Sequence, residues 1–193
     1  MKKFGFLAAL PLAWAMAIPA AADALPEKAG AERSVAMFNL FCLSRMPDIG
    51  DVARVAKAGE FTELQGDDLK PFQPEAPAEE LRAWRYKDFE QEFALVTTRS
   101  KPDEEFKKQV PDFANSTSFA CSLVLPAKDA SDDLLKGVET VMERKADENF
   151  DEGPFKVHSW SGQNDELMVN VLYYAPDKEK AGGLMSTVTF VKN

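Results

Sequence analysis

The chain has 193 residues, with 32 acidic against 23 basic side chains, a formal charge of −9 and a hydrophobic fraction of 45%. That balance opposes binding to phosphate backbones and anionic lipid surfaces, which need clustered Lys and Arg. The length suits one domain with a sizeable core.

Lys2 and Lys3 make a short positive start ahead of an apolar run over residues 4–18. Small residues follow, and Ala20-Ala21-Ala22 offers an A-x-A cleavage site before Asp23. The run is too short for a membrane span and is broken by Pro11 and Pro19. Residues 1–22 therefore read as a bacterial signal peptide, cleaved after Ala22, and the expected location is periplasmic or secreted. No Cys follows the site to carry a lipid, so no lipid anchor is expected; the mature chain is expected to be free in solution, with no membrane span after cleavage. Cleavage leaves 171 residues with 21 basic against 32 acidic side chains, a formal charge of −11.

Residues 23–31 are rich in Ala, Pro and Gly and read as a flexible arm, followed by a single globular domain over 32–193. Val35, Phe38, Phe41, Cys42 and Arg45 recur at helical spacing and predict a first helix with Cys42 on its buried face. Pro47 suits the first turn of a second helix, with Ile49, Val52, Val55 and Ala56 on one side and Gly59 as its stop. Gly66, Pro71, Pro74 and Pro77 make residues 60–78 read as a long surface loop.

The period changes to two from about Leu81 and is clearest in Phe93, Leu95 and Thr97. A charged loop around Lys101-Pro102-Asp103-Glu104-Glu105 separates this from a strand over 117–125, where Phe119, Cys121, Leu123 and Leu125 share a face. Ser131 or Asp129 can cap a third helix, whose stripe is Leu134, Leu135, Val138, Val141 and Met142, with Arg144 and Lys145 near its end. Three strands close the chain, over 155–161, 166–175 and 184–192, joined as a meander by turns at 162–165 and 176–183. The expected fold is α+β: an antiparallel sheet of about five or six strands with three helices, two N-terminal and one between strands, packed on one face.

Two cysteines in an exported chain read as one disulfide, Cys42 to Cys121, tying a helix onto a sheet. It closes a loop of about 80 residues, for which chain entropy gives roughly 4–5 kcal/mol before native strain.

The chemical signals are sparse. Asp147, Asn149 and Asp151, with Gly153 behind them, resemble the start of a calcium loop, so calcium is a candidate cofactor there. Glu152 sits where an EF-hand needs glycine, and His158 where it needs a bidentate Glu. A solvated acidic linker explains the same residues, and no cofactor is otherwise expected. His158 is the sole histidine and the natural candidate for acid–base work near neutral pH, yet no nucleophile motif accompanies it. Adjacent acids such as Asp132 and Asp133 do not supply the fixed separation that glycoside hydrolysis needs. Phosphate-cradling glycine motifs are missing. Trp84, Tyr86, His158, Trp160 and Tyr174 are candidates for a ligand or partner surface, although Tyr173 and Tyr174 must point to opposite faces of their strand.

These observations favour a small periplasmic binding or accessory protein that meets a protein or small-molecule ligand in the cell envelope, with no nucleic acid. One specific form is an inhibitor or partner of a basic envelope protein such as a cell-wall hydrolase, toward which an acidic domain is steered. The rival is a small periplasmic hydrolase using His158 and loop carboxylates. An enzyme requires a deep pocket with His158 beside a carboxylate, whereas a binder requires a shallow aromatic surface.

Overall fold

The computed structural model describes residues 30–74, 76–88, 91–126, 132–176 and 183–193. Residues 1–22, read above as a signal peptide, and all but the last two residues of the expected arm lie outside the described residues, as do the expected Asp129 and Ser131 caps. The elements run α1 (Ala31–Phe38), a π-helical turn (Asn39–Leu43), α2 (Ile49–Ala58), β1 (Thr62–Glu63), a 3-10 turn (Gly66–Phe72), β2 (Glu80–Asp88), β3 (Gln91–Ser100), α3 (Glu104–Gln109) and a 3-10 turn (Pro111–Phe113). They continue with β4 (Ser116–Val124), α4 (Asp132–Met142), β5 (Glu148–Glu152), β6 (Phe155–Gln163), β7 (Leu167–Pro176) and β8 (Leu184–Lys192).

The class is α+β, with one antiparallel sheet of eight strands in the order β1-β2-β3-β4-β8-β7-β6-β5. The C-terminal meander β6-β7-β8 forms as its alternation predicts. Two strands exceed the expected five or six because they escape the period-two signal. β1 is only two residues long, and β5 is exposed at every position, so neither carries an apolar alternation. The loop read over 60–78 contains β1 and a 3-10 turn. The charged loop at 101–105 leads into α3, whose N-cap Asp103 accepts from Phe106 N at 2.7 Å. Pro47 lies ahead of α2 rather than in it, because Asp48 takes the cap and accepts from Asp51 N.

One face of the sheet carries the main core. Trp84, Phe93, Leu95, Cys121, Leu123, Met185, Val171, Tyr173 and Trp160 meet α1, the π-helical turn, α2 and α4 there. The π-helical turn matters to this packing. Its wider turn, marked by Ser44 N donating to Asn39 O at 2.9 Å, brings the successive residues Phe41 and Cys42 both into the core, 1% and 0% exposed. Cys42 and Cys121 are joined, with Cα atoms 5.3 Å apart and a sequence separation of 79. Cys121 stands on β4, between Thr97 of β3 and Thr187 of β8, so the bridge pins the helices to the middle of the sheet.

The helices do not all share that face. α3 and the turn after it pack on the other side, through Phe106, Val110 and Phe113 against Met168, Val188 and Phe190, with the Phe106 and Phe190 rings stacked at 4.1 Å. No helix among the described residues is long and apolar enough to cross a membrane.

α1 and α4 touch closely at Gly137, where an added Cβ would lie 2.8 Å from Val35 Cγ2. Val35 is β-branched and has little rotamer freedom to yield. Gly137→Val should therefore destabilise the domain by about 1–3 kcal/mol in urea unfolding, and Val35→Ala in the same chain should recover part of that loss. Reduction of the disulfide should lower stability by a further, independent amount of about 2–5 kcal/mol.

Candidate functional site

The candidate region is the β5-β6-β7 end of the sheet, where the calcium-like residues, His158 and Tyr174 converge. β5 and β6 form a tight hairpin, with Glu152 opposite Phe155 and only Gly153 and Pro154 between them. Gly153 has φ +57°, the left-handed value that the first central position of such a turn demands, and Pro154 supplies the negative φ of the second. The alternating oxygens of residues 147–153 thus belong to a strand and its turn.

Asp147 joins α4 to β6. Its Oδ1 accepts from Arg144 Nη1 at 2.6 Å and its Oδ2 from Ser161 N at 2.8 Å, while Arg144 Nη2 donates to Ser161 O at 2.8 Å. Trp160 Nε1 donates to Arg144 O. Asn149 is committed to His158, and Asp151 is exposed opposite Lys156. Among the described residues no group of three His, Cys, Asp or Glu side chains is placed to hold a metal ion.

His158 lies on the core face, 9% exposed. Its ring stacks on Tyr173 with centroids 5.9 Å apart, and its Nδ1 is 2.5 Å from Asn149 Oδ1. An amide oxygen accepts, so the ring proton sits on Nδ1. Burial holds the imidazole below its ordinary value of 6.5; Lys156 lowers it further and Glu139 partly opposes this. The partner of the ring is an amide rather than the carboxylate that orients a catalytic histidine. The cleft beside α3, about 190 Å³ and lined by Lys101, Lys107, Asn115, Ser116 and Asn193 among others, does not include His158. It is also smaller than the roughly 300–1,000 Å³ of ordinary ligand sites.

The structure divides the aromatic candidates. Trp84 and Trp160 are 2% and 1% exposed in the core. Tyr86 is half-buried against Phe61, its ring centroid 4.7 Å away, and accepts from Arg33 Nη2 at 3.0 Å. Tyr174 alone lies on the opposite face, as its alternation with the 1%-exposed Tyr173 requires.

On that face the ladders align Phe150, Val157, Tyr174, Leu184, Val124 and Ala94 in one row across six strands. The next row is smaller and more polar: Ser159, Leu172, Ser186, Ser122 and Val96, with Ser122 and Ser186 hydroxyls 2.9 Å apart. Phe155 meets Tyr174 edge-on at 6.0 Å. Phe150, 43% exposed, is the one exposed large hydrophobic residue among those described, and Glu148 and Glu152 flank it on the same face. Burial first and then Glu152 hold the Tyr174 phenol above its ordinary range, leaving it a neutral donor.

Phe150 and Phe155 were not candidates in the sequence. The only signal for Phe150 was an aromatic residue set among acids, which reads equally well as linker.

Comparison of the chain with protein-family models, with curated proteins and with solved structures found no match.

The histidine supplies a direct check. Because its folded value lies below 6.5, the unfolded chain takes up the proton first. The stability contributed by the neutral ring is complete above 6.5 and is lost as pH falls through the folded value. Urea midpoints at pH 7.5 and 5.0 should therefore drop more in the native chain than in His158→Gln, and the His158 resonances should titrate below pH 6.5.

Proposed function

We propose that this chain is an exported binding or accessory domain that docks a basic protein of the cell envelope through the β5-β6-β7 end of its open sheet face. The observation that carries this reading is Phe150, exposed at the edge of the row that runs through Val157 to Tyr174, which Phe155 meets edge-on, and flanked by Glu148 and Glu152. Exposed aromatic residues inside a polar rim anchor protein interfaces, and acidic surroundings on a chain of net charge −9 select a basic partner. An inhibitor of a basic cell-wall hydrolase is one form this takes.

Export is supported by the Lys-Lys start, the apolar run and the A-x-A site, and a buried disulfide fits an oxidising compartment. The rival reading, a hydrolase working through His158, draws less support. Its imidazole is buried and bonded to an amide, away from the cleft beside α3.

The test is a photo-crosslinker placed at position 150 of the mature protein, with an equivalent one at Lys136 on the exposed side of α4 as control. The expected result is one identified basic envelope protein captured from position 150 and not from 136. Recovery should fall about tenfold or more when Tyr174→Ala or Phe155→Ser is added, the loss of a central interface anchor. Equal capture from both positions would overturn the proposal.

A further inference from the structure

We propose that the free edge of β5 is a docking edge for an extended basic segment of a partner protein, which joins the sheet as a ninth, antiparallel strand. This rests on the docking reading above and names how part of the partner is held.

The two ends of the sheet are unlike. At one end β1 is two residues long, and its Glu63 is already paired with Arg82. At the other, β5 is five residues long, exposed at every position and, among the described residues, bonded to β6 on one side only. Its outer edge therefore presents main-chain N–H and C=O groups to whatever lies alongside, which is the requirement for strand addition.

Charge decides the occupant. Glu148, Asp151 and Glu152 form no ion pair among the described residues. A second copy pairing antiparallel about Phe150 would place Glu148 opposite Glu152 and Asn149 opposite Asp151. Like charges directly opposite each other across a ladder are destabilising, so this edge rejects its own copy. The same carboxylates favour a strand that carries Lys or Arg opposite residues 152, 151 and 148, and an apolar side chain opposite Phe150. Read from its N-terminus, that segment is basic, basic, apolar, polar, basic. Phe150 supplies the apolar contact and connects the added strand to Tyr174 and Phe155 on the open face.

The probe is a blocked peptide centred on Lys-Arg-Phe-Thr-Lys, titrated into the oxidised mature protein at low and moderate salt while the backbone amides of residues 148–152 are followed by NMR hydrogen exchange. The expected result is saturable binding in which exchange slows at alternate β5 amides by tenfold or more. Affinity should fall at least tenfold in Glu148→Lys/Glu152→Lys. N-methylation of the peptide at amides facing β5 should abolish binding, and at outward amides should leave it. Where the double variant is poorly folded, the methylated peptides decide the matter on the native protein. Binding that shifts Leu172, Leu184 and Ser186 without slowing β5 amides would overturn the edge proposal and leave the docking reading standing. Equal binding by a scrambled peptide of the same charge would also overturn it, as would no binding at all; the crosslink at position 150 judges the docking reading separately.

Discussion

The rest of the structure depends on one contact: the helical segment from α1 through the π-helical turn, laid across the centre of the sheet and bonded there through Cys42 and Cys121. Burial of Phe38, Phe41, Val52, Trp84, Phe93 and Leu123 supplies the main driving force, since each large apolar side chain removed from water contributes about 1.5–3 kcal/mol. The disulfide adds by restricting the unfolded chain. Its place on β4 couples the two halves of the sheet, because β4 joins the N-terminal hairpin to the C-terminal meander through its pairing with β8. α4 then packs on α1 rather than on the sheet alone, which is why Gly137 must stay small.

This one-sided burial sets what the other face does. Among the described residues only α3 and its following turn pack there, at the Phe190 end; elsewhere Val157, Ser159 and Ser186 are buried, Leu172, Leu184, Val124 and Tyr174 are half-buried, and Phe150 is exposed at the β5 end. An antiparallel sheet with one wet face normally makes that face polar. Here an apolar row crosses six strands, and the charge flanking it at the β5 end is acidic. Such an arrangement suits recognition of a surface more than enclosure of a substrate.

The acidic segment before β6 shows how one composition serves different ends. Asp147 is spent on Arg144 and the backbone of Ser161, and Asn149 on His158. The Asp147 bonds hold β6 against the end of α4, and the Asn149 bond ties β5 to β6. Glu148, Asp151 and Glu152 are left facing solvent along a strand edge, where charge prevents indiscriminate pairing.

Much of the fold was legible in the chain itself, because periodicity is a local property. The stripes of α1, α2 and α4, the alternation of β3, β4 and the last three strands, and the Cys42–Cys121 pairing each follow from residues near one another or from a count of two. β1, β5 and α3 were not legible: they are short or fully exposed, and only pairing or packing with distant segments makes them regular. The candidate site was legible least. Tyr174 was separable from Tyr173 by alternation alone, but Trp84, Trp160 and His158 carry the same local pattern as surface aromatics, and their burial depends on which face the helices cover. The sequence by itself determined the strongly periodic elements, the single possible disulfide and the acidic charge. Tertiary structure alone decided which sheet face was left open and which strands became its edges, since both depend on contacts between residues far apart in the chain.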